Sequence, residues 1–338
     1  MRILISTGIY PPKTSGPAQY AYNMGQIWTK NGHKVSICTY GVENILPTGI
    51  RHFVYFLRVF PKVLLSKCIL VLDTFSVGFP TVLASKILGK KSVIRTGGDF
   101  LWEGYVERTG DMVLLSDFYK TRLGKLNFKE RIIFSLTKWT LKNVDLLVFS
   151  TDWQRKIFLD PYELDFGKTK IVENHYEKID IGEGEMQEGF LKVFVGGVRK
   201  LKWKNTDLLK RVFQSKKISN SGAVLDMENM ERDAFLKKIL NSYAVVLVSL
   251  GDISPHMIID AISLNKPFIL TKENGLMDRI GDISITVDPK NEEEIADKVL
   301  WLLNQDNYKS QVEKIKKFSF IRTWEDIAKE YIDIFSKI

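Results

Sequence analysis

Short β-branched runs alternate with helical stretches along most of this chain, and that alternation constrains its fold more than any other feature. Ile3–Thr7, Lys34–Thr39, Ile69–Asp73, Ser92–Thr96, Leu146–Ser150 and Lys170–Glu173 read as buried parallel strands, with helices at Pro17–Lys30, Phe79–Leu88 and Lys129–Lys142. Repeated β-α units predict a doubly wound sheet. Residues 174–190 break the rhythm, being polar, acidic and glycine-bearing, and read as a hinge. The alternation then restarts with strands at Lys192–Gly196, Val224–Asp226, Ala244–Ser249, Pro267–Thr271 and Ile283–Val287. Helices lie near Asp207–Phe213 and Glu231–Leu240 and from Ser254 onwards, and three more close the chain at Glu292–Leu303, Tyr308–Phe318 and Trp324–Ser336. A length of 338 residues fits two domains. The expectation is α/β: two Rossmann-like, doubly wound domains facing a central cleft, at 1–174 and 191–321, with a linker at 175–190 and a terminal helix at 322–338.

Charge is unevenly spread. Residues 1–170 carry 24 Lys+Arg against 13 Asp+Glu (+11), and residues 171–338 carry 25 against 27 (−2). The skew fits either an ordinary solvated surface or a face that meets something anionic. Residues 118–142 mix aromatic and aliphatic residues with seven Lys/Arg and one acid. They read as a basic amphipathic helix, suited to an anionic membrane surface or to a core with a solvated flank. No nucleic-acid module accompanies these cations, so a nucleic-acid role is not expected. Two cysteines, Cys38 and Cys68, give no disulfide framework, and the four histidines lack metal-ligand spacing. The opening is too short an apolar run for a secretory leader, and Val63–Ala84 is broken by Lys67, Asp73 and Pro80. A cytoplasmic protein is expected, either free or peripheral at the inner membrane face.

Three loops carry candidate chemistry. After the first strand, Gly16 and Pro17 open a helix whose free N–H groups can face an anion, although the loop is not GxGxxG. Gly196-Gly197-Val198-Arg199-Lys200-Leu201-Lys202-Trp203-Lys204 sets glycines and cations ahead of another helix, as a diphosphate leaving group requires; a solvated basic loop is the other reading. In Asp252-Ile253-Ser254-Pro255-His256, Ser254 reads as an N-cap and Pro255 as the first helical residue, with Asp252 ahead and Asp260 two turns on. One carboxylate suits a sugar and the other a ribose hydroxyl.

Taken together, these segments resemble bacterial family 4 glycosyltransferases of the GT-B type, nearly end to end. MRILISTGIYPPKTSGPAQYAYNMGQIWTKNGHKVSICTYG is similar to that family's opening strand, glycine loop, helix and Gly-His-x-Val strand. KIVEN resembles the segment before its interdomain linker, and FVGGVRKLKWKN the strand and cationic loop of its donor domain. Asp252 and Asp260 fall at the two glutamates of its E-x7-E motif. FIRTWEDIAKEY resembles its final helix, which crosses back to the first domain. The resemblance implies retaining transfer without metal or other cofactor, from a nucleotide diphosphate hexose to a glycan or lipid-linked acceptor in cell-surface polysaccharide or glycolipid synthesis. Arg199 and Lys204 would hold the diphosphate and Asp252 would touch the sugar, with Asp99 a further catalytic candidate. Gly16, Gly197, Ile253, Ser254, His256 and Asp260 would bind the donor.

The chain departs from the pattern in three ways. Gly197 stands where the family has arginine, with Arg199 two residues on. Both motif glutamates are aspartates. Between Phe213 and Ala244 there is one plausible strand, AVLD. A non-catalytic scaffold that binds sugar nucleotide or a partner enzyme is therefore the alternative. Arg95-Thr96-Gly97-Gly98-Asp99, ahead of Trp102-Glu103, resembles a segment found in some relatives; it reads as a sugar contact through Asp99 or as an Asp-capped turn with Trp102 in the core.

Overall fold

A computed structural model of the chain describes residues 1–13, 15–177, 179, 181–182, 191–197 and 200–338. In chain order its elements are β1 (Arg2–Ser6), α1 (Gly16–Lys30), β2 (Lys34–Cys38), α2 (Thr48–Leu65), β3 (Cys68–Val71), α3 (Gly78–Ile87), β4 (Lys91–Arg95), α4 (Phe100–Thr109), α5 (Leu115–Thr121), α6 (Phe128–Asn143), β5 (Leu146–Phe149), α7 (Asp152–Tyr162) and β6 (Thr169–Ile171). They continue as β7 (Lys192–Gly196), α8 (Thr206–Gln214), α9 (Lys216–Ser219), β8 (Ala223–Asp226), α10 (Arg232–Asn241), β9 (Ala244–Leu247), α11 (His256–Ser263), β10 (Phe268–Thr271), α12 (Met277–Ile280), β11 (Ile285–Val287), α13 (Glu292–Leu303), α14 (Gln305–Lys317) and α15 (Trp324–Lys337). Two compact units result. The first comprises Met1–Leu101, Leu123–His175 and Arg322–Ile338, the second Trp102–Arg122 and Tyr176–Ile321.

The first unit is built on a six-stranded sheet in the order β2-β1-β3-β4-β5-β6, with every pairing parallel. Parallel strands covered on both faces need continuous apolar runs, and β3 is buried at all four positions. Ser15 caps α1 by accepting from the Ala18 N–H, and Asn127 and Glu130 form a capping box on α6. The terminal helix belongs to this unit. Its Tyr331 and Phe335 join Trp28, Ile5 and Leu70 in one core cluster, and Trp28 Nε1 donates to the Ala328 carbonyl at 3.1 Å. Arg322 ties its entrance to the Glu173 carbonyl at 3.1 Å.

The second unit holds a five-stranded parallel sheet in the order β11-β10-β9-β7-β8. Alternate residues serve opposite faces: Phe194, Val246 and Ile269 pack on one side, Val195, Val245 and Leu270 on the other. Trp102–Arg122 packs here although its sequence neighbours lie in the first unit. Trp102 Nε1 donates to the Val113 carbonyl at 3.0 Å, and the Leu115 N–H donates to the Leu250 carbonyl at 3.1 Å.

Two expectations are corrected. Residues 118–142 are not one amphipathic helix: α5 ends at Thr121, α6 starts at Phe128, and the two lie in different units. Three of their seven cations are also paired with acids, Arg122 with Asp111, and Lys138 and Lys142 with Glu163. Ser254 does not cap the helix that follows it, which begins one residue later than expected with Pro255 at the cap position. A cap hydroxyl must sit beside the N2 or N3 amide, and Ser254 lies one residue too early to do so.

The turn between β3 and α3 shows how tightly the first sheet is closed at its carboxyl edge. Asp73 accepts from the Phe75 and Val77 N–H groups at 2.7 and 3.2 Å, folding the loop back until Gly78 lies against the Asp73 carbonyl. A methyl group at Gly78 would fall inside van der Waals contact of that oxygen. Gly78→Ala should therefore lower the unfolding free energy by about 1–3 kcal/mol. Denaturant titration checks this, and an unchanged midpoint would contradict it.

Candidate active site

In an open parallel sheet, ligands bind beyond the carboxyl ends of strands where the strand order reverses. In the second unit that reversal lies between β7 and β9. The loops leaving these two strands carry Lys204 and Asp252. Lys204 Nζ donates to Asp252 Oδ2 at 2.6 Å, with both side chains largely shielded. Ser249 Oγ lies 3.3 Å from the same oxygen, and Lys204 Nζ sits 4.2 Å from the centre of the Trp203 ring. The pair thus presents a fixed cation and a fixed carboxylate side by side.

Backbone and amide bonds lock these loops together. The Leu250 N–H donates to the Trp203 carbonyl at 2.9 Å. Buried Asn205 donates to the carbonyls of Val248 at 3.2 Å and Pro289 at 2.6 Å, joining the loops after β7, β9 and β11. It does so from a left-handed backbone (φ 58°), a conformation asparagine tolerates better than most residues. Asp252 donates its N–H to the Glu273 carbonyl at 2.9 Å and accepts from the Gly275 N–H at 3.0 Å. Behind it, a Cβ on Gly251 would come within 2.5 Å of Leu115 Cβ and 3.1 Å of Trp102, so only glycine fits. Trp102 also meets Trp203 with ring centres 5.5 Å apart. The segment from the first half of the chain therefore buttresses the Asp252 loop.

Asp260, buried on α11, is held by Arg232 at the start of α10. Both guanidinium nitrogens reach it, Nη1 to Oδ2 at 2.5 Å and Nη2 to Oδ1 at 2.6 Å. The carboxylate holds the arginine pKa above its ordinary value. Sequence reasoning missed Arg232. The available signal was a cation opening a helix beyond a strand end, which one sequence cannot connect to Asp260. Ser254 Oγ is buried without a hydrogen-bond partner, Ile253 is half-buried, and His256 is exposed at the first turn of α11.

Other candidates are placed as follows. Arg199 lies outside the described residues. Gly197 has room for a side chain, the closest atom to a Cβ being on Leu247 at 3.5 Å, so internal packing does not dictate glycine there. Lys202 turns away from Asp252 to the Glu107 carbonyl at 2.9 Å. In the first unit, Gly16 is the exposed first residue of α1, and Asp99 is buried with Oδ1 accepting from the Leu101 N–H at 3.1 Å. Among the described residues no group of three His, Cys, Asp or Glu is set to hold a metal ion.

No family model matches the sequence, and no curated protein matches it. Solved structures do match by shape over the whole chain. A sucrose-phosphate synthase from Thermosynechococcus elongatus superposes with a TM-score of 0.69 at 10% identity, covering 100% of this chain and 99% of that one. WaaG, a glycosyltransferase involved in lipopolysaccharide biosynthesis, gives 0.69 at 11% identity, with 99% of each chain covered. An E. coli trehalose-6-phosphate structure bound with UDP-2-fluoro glucose gives 0.65 at 10% identity, covering 100% of this chain and 99% of that one. The fold is GT-B.

Within this GT-B chain, Glu273 adjoins Asp252 and is itself half-buried. Burial pushes its carboxyl pKa up, against hydrogen bonds from the Ser116 side chain and backbone. Between the ordinary carboxyl pKa and this raised one, the folded state binds more protons than the unfolded state, so stability falls as pH rises across that window. Glu273→Gln should remove this slope. Denaturation midpoints compared across a pH series would show it, and parallel profiles for the two proteins would contradict it.

Proposed function

We propose that the protein is a retaining glycosyltransferase that moves a hexose from a UDP- or GDP-linked donor to a glycan or lipid-linked acceptor in cell-surface polysaccharide or glycolipid synthesis. The observation that carries this reading is the Lys204–Asp252 pair at the strand-order reversal of the second sheet. The GT-B fold and a structural neighbour bound with UDP-2-fluoro glucose support it. In the proposed reaction the bond between sugar C1 and the diphosphate oxygen breaks, and the acceptor oxygen bonds to C1 on the same face. The acceptor proton passes to the departing phosphate. Lys204, with Arg199 and the first amides of α11, offsets the charge that grows on the diphosphate. Asp252 orients the sugar hydroxyls and keeps the Lys204 ammonium in place.

A second reading, a scaffold that binds sugar nucleotide without turnover, draws support from Asp260. Both its oxygens already accept from Arg232, so a ribose diol must share them or displace the arginine. Two measurements separate the readings. Incubation with a panel of UDP- and GDP-sugars and candidate acceptors should release nucleotide, and Lys204→Met should lower kcat by about 10²–10³-fold while the fold is retained. Calorimetric binding without turnover for any donor and acceptor would favour the scaffold, and absence of both would sink both readings. Asp260→Ala should weaken nucleotide binding more than it lowers the denaturation midpoint; the reverse order would remove Asp260 from the site.

A further inference from the structure

α2 has two apolar faces on opposite sides. Tyr55, Val59 and Val63, spaced four apart, are fully buried. Half a turn away, Ile50, Phe53, Leu57 and Leu64 are 51–62% exposed, and Leu65 is exposed beside them. The stripe extends past the helix start to Ile45, which is 86% exposed. A surface helix of a globular protein ordinarily turns charged or polar residues outward. This one turns out a continuous apolar stripe, a pattern that marks an interaction surface.

The charges around the stripe select its occupant. From Asn44 to Leu72 there is no Asp or Glu, and the flank of α2 carries Arg51, Arg58 and Lys62. These cations brace the helix against the fold: Arg51 donates to the Glu43 and Leu46 carbonyls, Arg58 pairs with buried Glu43, and Lys62 donates to the Ile37 carbonyl. Where α2 ends, the amino edge of the sheet continues the positive charge. β2, β1 and β4 open on exposed Lys34, Arg2 and Lys91, and exposed Lys67 precedes β3. Arg2 is in register with Lys34, and Lys91 with Cys68, so the cations stand at the openings of four adjacent strands. Among them Lys91 has an acidic partner, Asp145. A second copy docked on this face would set cations against cations with no acid to pair them. A bilayer with anionic headgroups offers hydrocarbon to the stripe and negative charge to its border. Among the described residues no helix is long and apolar enough to cross a membrane, so the helix would lie in the surface plane.

We infer that the exposed face of α2, with the cationic edge of the first sheet, is a docking surface for anionic membrane. The inference stands apart from the transfer reaction and is tested without it. Co-sedimentation with vesicles of phosphatidylcholine, with and without phosphatidylglycerol, reads it directly. The full chain should pellet with the anionic vesicles and be released by added salt. Phe53→Ser combined with Leu57→Ser should weaken this binding about tenfold or more. Both positions are exposed, so an unchanged melting midpoint should accompany the loss. Lys34→Ala with Lys67→Ala, both also exposed, should reduce the salt-sensitive part. Three results would overturn the proposal: a protein that stays in the supernatant with anionic vesicles, a double serine variant that pellets like the parent, or a dimer in vesicle-free solution that this variant dissolves.

Discussion

Parallel pairing is the constraint on which the rest of this molecule depends. Each strand must be left at its carboxyl end and re-entered from the opposite edge, so a covering helix follows almost every strand. Loops that leave the strands gather along one edge, and where the strand order reverses, two of them diverge and leave a gap. In the second sheet that gap lies between the loop bearing Lys204 and the loop bearing Asp252. The ion pair spans the place where the topology leaves backbone unfilled.

Holding such a gap in shape needs internal bonds, because strand-end loops carry polar backbone that the ladder no longer satisfies. Asn205 supplies two of these bonds from a left-handed backbone, and the Asp252 backbone exchanges two more with the loop after β10. Tight packing supplies the remainder, with Gly251 pressed against Leu115 and Trp102. Lys204 and Asp252 are thus fixed by neighbours that bear no chemistry themselves.

The fold was legible where a two-sided burial requirement writes itself into composition. All eleven strands of the described residues coincide with runs read from the sequence, most plainly β3, β9 and β10, which are buried at every position and therefore apolar throughout or nearly so. α2 was not legible, since its apolar residues spread from the buried Tyr55, Val59 and Val63 round to the exposed Phe53 and Leu57 and so do not mark out one core-facing stripe. Part of the site was legible through local spacing: Lys204 and Asp252 each stand just past a strand. The Arg232–Asp260 fork was not, being a contact between residues 28 apart on two helices with no local signature. Ser254 shows a further limit. Its position before proline fits a cap by type, yet the helix starts one residue later and leaves the hydroxyl buried without a partner.

The assignment of Trp102–Arg122 to the second unit and of Arg322–Ile338 to the first has a consequence for how the chain is made. Neither unit is a contiguous stretch, so neither can be completed as the ribosome delivers it. The first waits for the last helix before Trp28 can find the Ala328 carbonyl. The second must keep an early hairpin of helices in reserve until the loop around Gly251 emerges to meet it. Splitting the gene between the two sheets would leave the first product without the helix that covers Trp28 and the second without the segment packed against Gly251, so the halves are interdependent in synthesis.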